Sequence, residues 1–550
     1  MSPYKKFHAE LKTLHNALLD YSDQHPEVST RLNLREYGDK DPSVSRLLEG
    51  VAYIGTQIKE QIEQTIPEIS QTLLDQIAPD LLKPIVSSVM MRFKIDINKQ
   101  HRPHHLASGT EMYSAENNNI KFTTTEDLTI HPLEIIRLHP HQTSSKNTLN
   151  ITFRLPTSID LKDLDLKRLP IYIHEDYDTA LQIYYLLTQN LENIRVQCRG
   201  TEIKSKIKLQ TSLQKTTQSD LKNILSVIKK HFIFPEQYLF FYLLGLDDLC
   251  LPDETEEFEL VFSFQQNTVK NIRWRSDIFL LNTVLADNLF QHTAEPFHLE
   301  THGYEYPLTL DANQEELLDL WNIQQVSALD TIGNDTKKYR RLQDLNTHDD
   351  AYYQLITRKR QANKPQHYLR FTQTPSTSET ITVLIQASNH FQARKIIKQG
   401  QLNTPSKQLE NITCSNINRP SRYVAHDALE KIRMPLVAYL GLQMKTLLSL
   451  DSLKLLLTLL DWQASKKTTQ IINSILAINN DISHEIIKGA VYPVQAITLE
   501  IDDRLFISSG EALLFSEVLY CLYLQATPMN HVLHFQVHGI TSGTTFKFRQ

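Results

Sequence analysis

Apolar residues recur at two different periods along this chain, and the change of period divides it. Tyr4, Phe7, Leu11, Leu14, Leu18 and Tyr21 are spaced by three and four, which predicts an amphipathic helix that His25-Pro26 stops. A second helix is predicted from Asp41, whose carboxylate suits an N-cap, with Pro42 at the first helical position. Val44, Leu47, Leu48, Val51, Ile54, Ile58 and Ile62 then form one apolar stripe over about 20 residues, roughly 30 Å of helix. Pro67 ends it. A shorter amphipathic piece runs from there to Pro79, and Leu81 to Pro84 leads into a strand over Val89–Ile97.

From residue 90 the period falls to two. Strands are predicted over 106–110, 120–124, 128–137, 149–155 and 169–173, separated by Asn and Gly turns, with a helix over 178–188. The stretch 229–250 is the most aromatic in the chain, with Phe232, Phe234, Tyr238, Phe240 and Phe241 interrupted by Pro235. Such a run is costly to leave in water, at about 25 cal/mol per Å² of apolar area. It belongs in a core or an obligate interface, and the way aromatics distribute favours the core. Further strands are predicted at 260–264, 304–308, 324–329, 368–371 and 380–385, while the charged, amide-rich segment 334–364 is predicted to be a linker or mobile loop. Helical spacing returns over 427–450, 451–462 and 468–478, with Leu453, Leu456, Leu457 and Leu460 on one face. Ser508 and Glu511 suggest a capping box for a last helix carrying Leu514, Val518, Cys521 and Leu522, followed by an alternating strand over 533–538.

These elements predict an α+β, multidomain protein with a helical N-terminal segment, β-rich middle domains and a helix-rich C-terminal region ending in a strand. The expected divisions are residues 1–90, 91–225, 226–333, a linker and β segment over 334–425, and 426–550, the linker aside matching the three or four domains that 550 residues suggest. The net charge of −6 argues against nucleic acid as the main partner. Cys198, Cys250, Cys414 and Cys521 form no Cys-x-x-Cys pair and read as buried thiols. The opening residues lack the apolar core of a signal peptide, and the apolar runs 238–246 and 435–450 are too short or too interrupted to span a bilayer. A cytoplasmic protein without direct membrane insertion is expected.

Candidate chemistry is sparse. His101, His104 and His105, with His139 and His141, have no cysteine or carboxylate at ligand spacing. His534 and His538 share a strand face but stand about 13 Å apart, too far for one ion. His484-Glu485 lacks the second histidine of a zincin helix. With 14 glycines and no phosphate-loop motif, neither a nucleotide nor a metal cofactor is predicted. Two function classes remain: a structural subunit without catalytic residues, or a cytoplasmic hydrolase-type enzyme whose site is not recognisable from sequence.

The order of motifs favours the first. Asp41-Pro-x-Val-x-Arg-Leu-Leu-Glu49, Pro67-Glu-Ile-x-x-x-Leu-Leu74 and Pro79-x-x-Leu-x-Pro84 are followed by a strand. Further on come Phe232-x-Phe-Pro-Glu-x-Tyr-Leu-Phe-Phe241, Asn288-Leu-Phe290, Ala294-Glu-Pro296 and Gly510-Glu-Ala-Leu-Leu-Phe. This order resembles the TssF family, also called ImpG or VasA, of type VI secretion baseplates. The chain departs from the family pattern at Asn282-Thr-Val, at Ala387-Ser-Asn-His390 and in its closing tail. The resemblance implies a non-enzymatic wedge subunit that assembles with a TssG-like wedge protein, a TssK-like adaptor and a second copy of itself. It also implies a VgrG-like spike hub at the centre and a sheath growing from the wedges. On this reading Leu47, Val51, Ile54 and Ile58 are buried in the chain's own core or in the wedge, as are Phe232, Phe234, Tyr238, Phe240 and Phe241.

Overall fold

The computed structural model describes residues 3–24, 46–59, 74, 82–97, 99, 101–142, 147–156, 161–203, 205–213, 224–249, 251–252, 255–265, 272–300, 304–311, 317–330, 336–342, 351–359, 365–372, 379–406, 411–424, 447–487, 489–528 and 530–549. The opening helix runs Pro3–Gln24 and residues 46–59 are helical. Lys59 reaches across to Glu10, and the Glu10 side chain lies over Gly55, so the two helices touch. The predicted cap at Asp41-Pro42 and the continuation through Ile62 to Pro79 lie outside the described residues, Leu74 apart.

The largest core is built around one helix, Ser509–Ala526. It is apolar on every side, so it cannot sit on a surface. On one side it covers a four-stranded sheet ordered Ile475–Ile487, Ala490–Ile501, Val532–Gly539, Thr545–Arg549. The middle pair is parallel, and the helix is the crossover that makes a parallel pair possible. On the other side it meets the helices Tyr177–Gln189 and Ile224–Ile233. Around them lie a five-stranded sheet (Thr201–Ile203, Leu191–Cys198, Glu257–Phe264, Asn147–Arg154, Glu134–Gln142) and a four-stranded one (Lys208–Thr211, Phe240–Leu244, Arg168–Ile173, Phe279–Leu280).

A second core belongs to a six-stranded sheet ordered Leu402–Pro405, Glu111–Ser114, Asn117–Thr124, Thr283–Asp287, Ser88–Ile95, Ile412–Asn416. A third fills an eight-stranded system running from Phe290–Thr293 through Glu379–Ser388 and Asp319–Asp330 to Glu305–Leu308. The two systems meet at a pair of buried amides. Asn288 donates to the Lys121 carbonyl at 2.7 Å and to Asn389 Oδ1 at 2.9 Å, while the Asn389 amide N–H returns to Asn288 Oδ1 at 2.7 Å. Asn282, at φ +53°, exchanges two hydrogen bonds with the His131 backbone, a left-handed position that asparagine tolerates better than most residues.

Four expectations need correction. The C-terminal region is not helix-rich: beyond residue 446 it holds the helices Leu450–Leu460, Lys466–Asn473 and Ser509–Ala526 beside four strands, two of them 13 and 12 residues long. The helix predicted over 468–478 ends at Asn473, where Ser474 takes the C-cap and the chain turns into a strand. The helix predicted over 427–450 lies almost wholly outside the described residues. Within the expected linker 334–364, Thr336–Arg341 and Tyr352–Lys359 are strands. The capping box is also displaced by one residue. Glu511 accepts from the Ile507 amide at 2.8 Å, and Ser508 makes no side-chain cap bond. The strand predicted over 533–538 is Val532–Gly539, and a further strand that the sequence analysis did not place, Thr545–Arg549, follows it.

Gly510 sets how closely the central helix approaches its neighbour. A Cβ there would collide with the Leu181 carbonyl oxygen, a backbone atom that cannot swing aside. Gly510→Ala is therefore expected to destabilise the chain by ~3 kcal/mol or more, read as a lower midpoint in denaturant unfolding. An unchanged midpoint would mean that the two helices do not cross here.

Candidate interaction surfaces

The aromatic run is core. Phe234, Phe240 and Phe241 are buried, and Phe232 and Tyr238 pack half-buried against the same cluster. Phe234 closes the helix Ile224–Ile233, Pro235 opens a single 3₁₀ turn, and Phe240 begins a strand. That break sends the two halves of the run to different neighbours. Phe241 meets Phe279 edge-on at 5.3 Å, and Tyr238 donates its hydroxyl to the Val227 carbonyl at 3.1 Å.

The helical stripe is not in the chain's own core. Leu47, Val51, Ile54 and Ile58 are 70%, 47%, 58% and 50% exposed, and Tyr53 adds a further 58%. Ala52 and Thr56, on the other side of the helix, are the positions that the chain buries. The small face is turned inward, so the apolar stripe stays open.

A second apolar surface escaped the sequence reading. The hairpin Ile475–Ile487/Ala490–Ile501 keeps a third strand alongside only from Val494 onward, so its distal end projects beyond the sheet. Ile482, Ile486 and Val491, at 69%, 73% and 65% exposed, continue the face that carries Ile497 and Leu499 into the core. The signal was available: a Lys488-Gly489 turn between two β-branched runs. The leucine spacing just before it favoured a helix instead.

No constellation for catalysis is open to solvent among the described residues. Thr357 Oγ1 lies 3.1 Å from His367 Nδ1, and His367 Nε2 lies 4.0 Å from Asp319, which also takes a bond from Tyr423. The order resembles a hydroxyl–imidazole–carboxylate relay. The imidazole and carboxylate are 5% and 6% exposed, however, and 4.0 Å is too long for a hydrogen bond, so the group ties strands together. Cys198, Cys414 and Cys521 are buried free thiols, and Cys250 lies outside the described residues. His104 and His105 occupy opposite faces of a short strand, as neighbours in a strand must. Among the described residues no three metal-ligating side chains gather, and no helix is long and apolar enough to cross a membrane.

A deeply buried acid on the central helix is structural too. Glu517, on the central helix, accepts from the Tyr184 hydroxyl and from Thr211 Oγ1 at 3.3 Å. Burial pushes its carboxyl up to about 7, with the two hydrogen bonds pulling back. The folded chain thus holds this proton more tightly than the unfolded one. Stability should decline as pH rises from about 4.5 to about 7 and level off above that, a loss on the order of 3 kcal/mol. Glu517→Gln removes the titration, so urea midpoints across that range should flatten in the variant. Parallel pH profiles for variant and parent would contradict this.

Comparison with known proteins gives the family. The family model described as "Type VI secretion system, TssF" matches residues 3–548. A curated relative, "Type VI secretion system component TssF1" of Pseudomonas aeruginosa, is 23% identical over 364 residues, and the match spans 58% of this chain and 56% of the relative. The fold is similar to that of a chain in the cryo-electron microscopy structure of a TssK-TssF-TssG baseplate subcomplex, with a TM-score of 0.80, 19% identity, and coverage of 92% of this chain and 98% of that one. A chain from the type VI secretion baseplate complex matches at a TM-score of 0.64 and 17% identity, over 100% of this chain and 98% of that one. With a family model spanning nearly every residue and the same fold throughout, the chain belongs to the TssF family of type VI secretion systems.

Proposed function

We propose that this chain is a baseplate wedge subunit that binds a TssG-like protein and a TssK-like adaptor and, with a second copy of itself, helps place six wedges around a VgrG-like spike hub so that the sheath can start. It works by rigid placement of surfaces in the cytoplasm, without turnover and without a cofactor. The observation that carries this reading is the helix 46–59, which offers a stripe of four large apolar side chains to solvent. Stripes of that kind mark interaction sites, since the chain gains nothing from leaving them wet. The fold shared with a chain of the TssK-TssF-TssG subcomplex supports the choice of partners. The spike hub, the sheath and the second copy rest on the family resemblance.

The exposure of the stripe changes what a charge there should do. Leu47→Asp and Ile54→Asp should leave the folded chain intact, because neither side chain belongs to its core. Assembly should suffer instead, since a carboxylate would be buried unpaired in the wedge. Co-expression with the TssG-like and TssK-like neighbours followed by affinity capture should recover at least about tenfold less complex from the double variant, with an unchanged melting midpoint. Recovery equal to the parent's would place the wedge contacts elsewhere. A parent chain that ignores both neighbours would sink the wedge reading itself.

A further inference from the structure

A chain that is acidic overall carries segments of the opposite sign, one of them early in its last third. From residue 380 to residue 426 the sequence has Arg394, Lys395, Lys398, Lys407, Arg419 and Arg422 against the single acid Glu410. The fold gathers five of these bases on two short pieces. Arg394 and Lys395 lie on the helix Gln392–Ile396, with Lys398 just after it. Arg419 and Arg422 lie on the strap 417–424.

Both pieces are held rigidly from below. The strap is sewn to the segment before and within the strand Ser88–Ile95. Ile417 donates to the Met90 carbonyl and Ser421 to that of Ser88, each at 2.9 Å, and Ile85 and Val424 form a β-bridge. The helix is anchored by Ala393 and Ile397, which are fully covered. Asn416 joins the two pieces: its side-chain amide donates to the Lys398 carbonyl at 2.9 Å and to the Asn418 carbonyl at 2.8 Å, while its oxygen takes the Leu402 amide at 2.9 Å.

The arginines are steadied by carbonyls rather than carboxylates. Arg394 donates to the Pro420 carbonyl, and Arg419 returns through Nε and Nη2 to the Arg394 carbonyl at 3.2 and 3.1 Å. These bonds fix the guanidinium groups without cancelling their charge. Burial and then the nearby Arg419 and Arg422 hold the Arg394 guanidinium below its ordinary value, so the three cations sense one another. Among the described residues none of the five makes an ion pair with an acid. Lys395, Lys398, Arg419 and Arg422 are exposed, and Phe391, 51% exposed, caps the N-terminal end of the same short helix.

Like charges held together cost free energy in the isolated chain, and a stable fold does not need them on two rigid supports. We propose that this face docks a carboxylate-rich segment of a partner protein, the acidic side chains meeting the arginine forks and an apolar neighbour resting on Phe391. Arginine suits carboxylates because its planar fork pairs with both oxygens. A nucleic acid strand is the less fitting occupant, since it would run off so compact a patch onto the acidic remainder of the chain. The proposal goes beyond the wedge reading, and its test needs no wedge partner.

The probe is a fluorescein-labelled peptide of eight glutamates, followed by anisotropy with the full chain at low salt. A peptide of eight glutamines and a single-stranded DNA of matching charge serve as comparisons. The variants are Arg422→Glu and Lys398→Glu, whose side chains make none of the bonds above, and Arg419→Lys, which keeps charge and loses the fork. The expected result is binding of the glutamate peptide alone, weakened at least about tenfold by each charge reversal, less by Arg419→Lys, and lost as salt rises. The proposal is overturned if the parent does not bind the glutamate peptide, if the reversals leave binding unchanged, or if the DNA binds more tightly at the same residues.

Discussion

The crossing of the central helix over its neighbour, at Gly510 against the Leu181 carbonyl, is the constraint from which the largest core follows. Because the helix Ser509–Ala526 is apolar on all sides, it needs a sheet on one face and helices on the other. The parallel pairing of Ala490–Ile501 with Val532–Gly539 supplies the sheet, and the helix is also the connection that this pairing demands. Only a residue without a side chain lets the opposite layer come close enough to close the core. Glu517 is a buried acid midway along this helix, and it stays there because Tyr184 and Thr211 both donate to it. Tyr184 comes from the same helix as Leu181, so one polar contact and one steric contact fix the same crossing.

That arrangement separates rigid support from open surface. The aromatic run 232–241 lies inside or against the core, and the small-residue side of the helix 46–59 faces inward. What is left outside is selective: the stripe on that helix, the projecting hairpin end, and the basic strap near residue 420. All three are carried on elements held by backbone pairing or helix packing rather than on long loops. A subunit whose task is to hold partners at fixed positions needs that combination, because a surface on a loose support would lose binding free energy to ordering.

Much of this was legible in the sequence, and the gaps have physical causes. The alternation over 149–155 and 533–538 marked real strands, and Leu453, Leu456, Leu457 and Leu460 marked a real buried face, because each element buries one side and so prints its period. The aromatic run was assigned to core or obligate interface by cost alone, and the fold buries Phe234, Phe240 and Phe241 while Phe232 and Tyr238 stay half-buried. The stripe at Leu47 to Ile58 shows the limit of that reasoning, since periodicity reports an apolar face without saying which molecule covers it. The hairpin after Asn473 was missed because leucine spacing carried the helix too far, and strand pairing across residues 475–501 is invisible to a local window. Joints such as Phe93 beside Cys414, or Asn288 on Asn389, depend on contacts hundreds or about a hundred residues apart and leave no local trace.

The core forms within the chain, and we propose that the stripe on 46–59 is completed by a partner. Hydrogen–deuterium exchange, compared between the chain alone and the chain assembled with its TssG-like neighbour, tests both halves at once. Residues 509–526 should exchange slowly in either state, and residues 46–59 should gain protection on assembly by a factor of at least about ten. Equal exchange across 46–59 in the two states would show that the stripe is not the contact, and rapid exchange across 509–526 in the lone chain would show that the core itself waits for a partner.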